Sequence, residues 1–235
     1  MTNPTLVFTS PSHAESAPEP ERGSRLRRRA SALAAFGAAG LGLAGFLSCN
    51  WENTPGTAAY LESLVAKPTQ SMISMTLLHY GYLCFVPVAV VLSRLARRRA
   101  PVLAAIGLVL SVLGSGLSGF LVTDAYDLSI GQNLPIDSAV KVSEGVSAVA
   151  GVGMGLPTVL GSIIGLVLLL LAMWRARWLS LVPAIVMLAG WVLSFGAHTL
   201  LRSGSGYALV ALAFVAVGAR ILKMTDLEFA TAEKS

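Results

Sequence analysis

The feature that most constrains the fold is Leu77–Thr123, two apolar runs joined by the basic turn Arg94-Leu95-Ala96-Arg97-Arg98-Arg99-Ala100-Pro101. A hydrocarbon core of ~30 Å needs about 20 helical residues to cross it, and each run is long enough. Arginine is costly to move through a bilayer, so Arg94, Arg97, Arg98 and Arg99 anchor the turn on the cytoplasmic side. Every other segment takes its direction from this hairpin by alternation. Composition agrees, since 54% of the 235 residues are apolar, only 12% are charged and the mean hydropathy is +0.71. Soluble domains carry about 25% charged residues.

The pattern predicts an all-α integral membrane bundle of six spans, at about 30–48, 72–93, 101–122, 156–174, 178–197 and 207–222. Residues 1–29 are rich in Pro and Ser and end in Arg25, Arg27, Arg28 and Arg29, a composition expected of a disordered cytoplasmic tail. Residues 223–235 form a second polar cytoplasmic tail. This layout puts Arg22, the four tail arginines, the four of the turn, Arg175, Arg177, Arg220, Lys223 and Lys234 inside, and only Lys67, Lys141 and Arg202 outside. Fourteen basic residues against three make the orientation N-in and C-in. The net charge of +5 is thus a topology signal, and the expected partner is the lipid bilayer, with no nucleic acid.

Several local signals refine the layout. Gly37, Gly40, Gly42 and Gly45 in the first span, Gly107, Gly114, Gly116 and Gly119 in the third, and Gly161-Ser162-Ile163-Ile164-Gly165 in the fourth let helices approach closely, within this chain or against another membrane protein. Pro87 interrupts the second span and favours a kink, whereas Pro101 falls in a first turn where its missing N–H costs little. Between spans, two short outer interfacial helices are expected. One runs to Ala66, with Thr57 as N-cap and Leu61, Leu64 and Val65 on one face, and the other covers Ile136–Ala150. The sixth run is short enough that Ser203–Gly206 belongs to its membrane boundary. The first span has a rival reading as an export signal ending near Cys49. Spans two and three resemble spans four and five as arginine-joined hairpins, through duplication or through topology alone.

Chemistry-bearing residues are sparse. Cys49 and Cys84 form no CxxC pair and suggest neither a disulfide framework nor a zinc site. His79, about two turns inside the outer end of the second span, and His198, closing the fifth, lie at one depth, where two imidazoles can ligate haem iron or a metal or relay protons. Tyr80, Asp124, Tyr126 and Asp127 complete a candidate outer-face polar cluster with them. Gly116-Leu117-Ser118-Gly119 matches the GxSG element of rhomboid proteases, but Ser118 ends an inward-to-outward helix, the reverse of the rhomboid direction. No nucleophile–base pair or mid-span charge pair follows from the pattern. The expected function is non-enzymatic, an accessory or sensory membrane subunit; a small-solute or proton-coupled transporter is the alternative, and a haem- or metal-binding redox protein the third.

Lys67-Pro68, Leu77-Leu78-His79-Tyr80-Gly81-Tyr82-Leu83, Val86-Pro87, the arginine turn and Asp124-Ala125-Tyr126-Asp127-Leu128 together resemble small multi-span membrane proteins of actinobacteria. The similarity covers about Ala58–Gln132. It implies a helical bundle in a bacterial plasma membrane and assigns no functional residues.

Overall fold

The structure, a computed structural model, describes residues 23–49, 57–126, 131–150, 156–194 and 200–234. These form helices and short connections, with no strand among them. In chain order the helices are α1 (Ser24–Ser48), α2 (Thr57–Ala66), α3 (Pro68–Leu83), α4 (Phe85–Ala96), α5 (Pro101–Tyr126), α6 (Ile136–Ala150), α7 (Leu156–Arg175), α8 (Val182–Ser194), α9 (Leu200–Lys223) and α10 (Asp226–Lys234). Three helical stretches are long and apolar enough to cross a membrane: Ser24–Ser48, Pro68–Ala96 and Gly204–Lys223. Pro101–Ser115, Leu160–Arg175 and Val182–Ser194 are shorter apolar helical stretches.

The stretch Pro68–Ala96, one of these candidate spans, is broken at Cys84 into α3 and α4. Pro87 has no N–H to offer the preceding turn, and the next amide, Val88, reaches the Cys84 carbonyl only at 3.4 Å. The helix is therefore interrupted at Cys84, three residues ahead of the proline. The helix also begins at Pro68, four residues earlier than the apolar run, because a proline at N1 suits a helix start.

Two packed groups flank this broken helix. On one side α1 and α9 lie together, with α8 against α9; on the other α5 packs along α7. Helix α3 touches both α1 and α5, and α4 reaches α7. The two arginine-joined hairpins are thus packed differently: α4 folds back on α5, whereas α7 lies mainly on α5 and α8 mainly on α9. One buried cluster runs through the bundle, with Phe85, Leu92, Leu166, Leu170, Tyr207 and Phe214 among its largest members.

The glycine-bearing faces pack within the chain. A Cβ on Gly42 would overlap the Tyr207 ring, one on Gly45 would lie 2.7 Å from Leu78 Cγ, and one on Gly165 would overlap Ser111. Gly40 alone of the first span's glycines faces open space. Several buried hydroxyls bond across helices: Ser74 Oγ donates to Gly45 O at 2.9 Å, Ser93 Oγ to Ala104 O at 3.0 Å, and Ser115 Oγ and Ser162 Oγ share a bond at 3.1 Å. Bonding a hydroxyl to a neighbour's carbonyl satisfies it where water is absent.

At the end away from the arginine turn, α2 and α6 pack on each other over the start of α3. Their seam is a separate apolar cluster of Leu61, Leu64, Met75 and Ala139. Val65, expected on the same face, is exposed, since α6 covers the side of α2 that carries Leu61 and Leu64. At the arginine end both expected tails carry helix. Helix α1 starts at Ser24 and so contains Arg25 to Arg29, while residues 226–234 form α10, which packs on α1 and α4.

Candidate functional site

Of the polar cluster expected from the sequence, only His79 and Tyr80 have described side chains. His79 lies on α3, partly buried, with its ring edge-on to Tyr80 at 5.6 Å between centroids, and Tyr80 is exposed. Because α3 starts at Pro68, His79 stands 11 residues along it, about three turns. Asp124 and Tyr126 fall in the last turn of α5, a helix that packs against α3. Their side chains, and Asp127 and His198 altogether, lie outside the described residues. Ser118 of the GxSG element likewise has no described side chain. Among the described residues, no group of three or more His, Cys, Asp or Glu side chains converges as metal ligands do.

A second site, at the arginine end, is built from residues the sequence marked only as charge. The turn closes because Ala100 N–H donates to Ala96 O at 2.9 Å and Ala104 N–H to Ala100 O at 2.9 Å. That projects Arg98 and Arg99 past the end of α4. Arg99 Nη1 then donates to Ala176 O at 2.9 Å, at the C-terminal end of α7. Arg220, in the last turn of α9, donates Nε to Trp178 O at 2.8 Å and lays its guanidinium carbon 5.7 Å from the centre of the Trp178 ring. Arg28 closes the ring of elements: Nε meets Asp226 Oδ1 at 3.0 Å and Nη1 donates to Leu222 O at 2.6 Å. A guanidinium at a helix C-terminus meets carbonyls with no intrahelical donor and the negative end of the helix dipole, so three arginines hold three chain segments in register.

Between these segments lies a cavity of about 330 Å³. Leu95, Arg98 and Arg99 form the side next to α4, and Trp178 forms another wall. Helix α10 closes it with Leu227, Glu228, Thr231 and Ala232. The lining is mostly apolar, and Arg98, Arg99 and Glu228 are its charged residues. Glu228 is committed to its own helix: Oε2 accepts from Thr225 N–H at 2.7 Å and Thr225 Oγ1 at 3.1 Å, while Glu228 N–H donates to Thr225 Oγ1 at 3.1 Å. This reciprocal cap, with the Thr225 amide as the main cause, holds the carboxyl below the usual Glu range.

The signal for this site was present in sequence, as Thr225-Asp226-Leu227-Glu228 has the spacing of a capping box. Nothing local tells where such a short helix docks, and docking is what creates the cavity. The chain matches no family model, no curated protein and no solved structure.

Proposed function

We propose that this chain is a six-span protein of a bacterial plasma membrane, with both termini in the cytoplasm, acting as a non-enzymatic accessory or sensory subunit. The observation that carries the membrane reading is the outward face of the shorter helices. Val102, Ile106, Val109 and Leu113 on α5, Ile164 on α7, and Val182, Ile185, Leu188 and Val192 on α8 are all exposed. Large apolar side chains repeated at helical spacing around a bundle suit lipid and would be unfavourable in water. The arginine end faces the cytoplasm in this reading by the fourteen-to-three distribution of basic residues.

A structural role is supported by three buried hydroxyls that join helices. Ser74 and Ser93 bond to backbone carbonyls of neighbouring helices, and so does Tyr207, whose hydroxyl donates to Ala38 O at 3.1 Å. They hold helices together and leave the α2–α6 cap as the part that projects beyond the apolar belt. A photo-crosslinking residue placed in living cells at the exposed Glu62 or Lys141 is expected to yield one discrete protein adduct, and the same residue at Val109 or Ile185 lipid adducts only. Protein adducts distributed equally over both sets would overturn the proposal.

The transporter reading keeps one observation in its favour, the mid-span break at Cys84, because carriers place sites where helices are discontinuous. Solute uptake by proteoliposomes that Pro87→Ala or His79→Ala abolishes would establish it in place of the accessory role.

A further inference from the structure

We propose that the cavity between the arginine turn, Trp178 and α10 binds the phosphate diester of an anionic glycerophospholipid. This rests on the membrane reading above, which places the cavity at the cytoplasmic interface, where headgroups lie. The volume of about 330 Å³ is at the lower end of small-ligand pockets and suits a headgroup with its glycerol, leaving the acyl chains to the apolar belt. Leu95 and Ala232 are buried and supply an apolar floor for the glycerol ester region.

The charge arrangement selects the ligand. No hydrogen bond or ion pair holds the Arg98 guanidinium to another described residue, and Arg99 uses Nη1 on Ala176 O while its other donors stay unused. Two consecutive arginines that both line the cavity and keep unused planar donors match phosphate oxygens. Basic pockets between spans on the cytoplasmic side suit acidic lipid headgroups for the same reason. A zwitterionic headgroup adds an ammonium, which the two arginines of the lining disfavour. Glu228 Oε2 accepts from Thr225, and Arg220 lies over the Trp178 ring. Two arginines against one carboxylate leave the cavity lining net positive, which favours an anionic headgroup.

The test uses the full chain purified in detergent, exposed to an equimolar mixture of phosphatidylglycerol and phosphatidylethanolamine, and examined by native mass spectrometry for retained lipid. One retained phosphatidylglycerol per chain is expected. Arg98→Gln should lower its retention about tenfold, the scale of one lost charge-assisted contact. Arg94→Gln removes the same charge from the same turn but lies outside the cavity, and should leave retention unchanged. Thr231→Trp keeps both arginines, fills the space from the exposed face of α10, and should lower retention as Arg98→Gln does. Equal retention of the two lipids, equal loss in Arg94→Gln and Arg98→Gln, or retention untouched by Thr231→Trp would each overturn the proposal. Displacement of the lipid by millimolar soluble glycerol phosphate would assign the site to an aqueous phosphate and overturn its lipid source. Reagent access to Arg97→Cys in intact cells, in a background without Cys49 and Cys84, reports orientation separately. Labelling from outside would therefore refute the membrane reading, whereas lost lipid selectivity with correct orientation would refute the site alone.

Discussion

Where α1 meets α9, glycine on one helix receives a side chain from the other. The Tyr207 ring fills the space a Cβ on Gly42 would need, Leu47 lies over Gly204, and the Phe36 ring lies over Gly218. Tyr207 is then stacked on Phe46 at 4.6 Å, set edge-on to Trp191 at 5.9 Å, and bonded through its hydroxyl to Ala38 O. Where α5 meets α7, glycine receives backbone. A Cβ on Gly165 would meet the amide nitrogen and hydroxyl of Ser111 and the carbonyl of Gly107, and one on Gly107 would lie 3.0 Å from Gly165 O. Both interfaces are written in sequence as small residues in an apolar run, yet one is a socket for rings and the other a direct contact of two main chains. A side chain can change rotamer or be shortened, and a main chain can do neither, so the two should respond differently to the same substitution.

The largest expected effects come from adding one methyl group to each. Gly165→Ala and Gly42→Ala should each destabilise the bundle by about 1–3 kcal/mol, the usual cost of overpacking, measured by unfolding in mixed micelles. The two should separate in double-mutant cycles. Combining Gly42→Ala with Tyr207→Val should recover more than about 1 kcal/mol of the summed losses, because the clashing atoms belong to the ring. Pairing Gly165→Ala with Ser111→Gly should recover little, since the amide nitrogen remains. Equal recovery at both sites would erase the distinction.

Polar bonding gives a smaller contrast. Tyr207→Phe removes a hydroxyl bonded to a helix carbonyl in a fully buried setting and should cost about 1 kcal/mol. Ser162→Ala removes one member of a hydroxyl pair and should cost about 0.6 kcal/mol, the average for interhelical bonds in membranes. A serine effect exceeding the tyrosine effect would mean that the α5–α7 contact depends on its hydroxyls more than on its close backbone approach.

The smallest effect lies outside both interfaces. Glu228 is held below its ordinary value of 4.5 by the Thr225 cap, so its contribution is present above that value and lost as pH falls through the lowered folded value. Amide exchange in the first turn of α10 should therefore rise in this acid window while the α1–α9 and α5–α7 amides stay protected. Glu228→Gln should abolish the dependence. Loosening of the spans in step with α10 would show that its docking supports the bundle.

The sequence alone determined what depends on transfer and on local backbone rules. Apolar runs, bounded by arginines that resist transfer, announced the helical stretches; Pro87 announced the break near Cys84; the pattern after Thr57 and after Pro135 announced α2 and α6. Each of these follows from a residue's own chemistry or that of neighbours within a turn. Only the tertiary structure decided which glycine faced a ring and which a main chain, that Val65 stays exposed, and that α7 and α8 pack on different partners. It also decided that Arg98 and Arg99, legible only as anchors against transfer, border a cavity once α10 docks across the turn. Such pairings join residues far apart in the chain, where no spacing rule reaches. They depend on the competition of many similar apolar surfaces for one another, which shape complementarity decides.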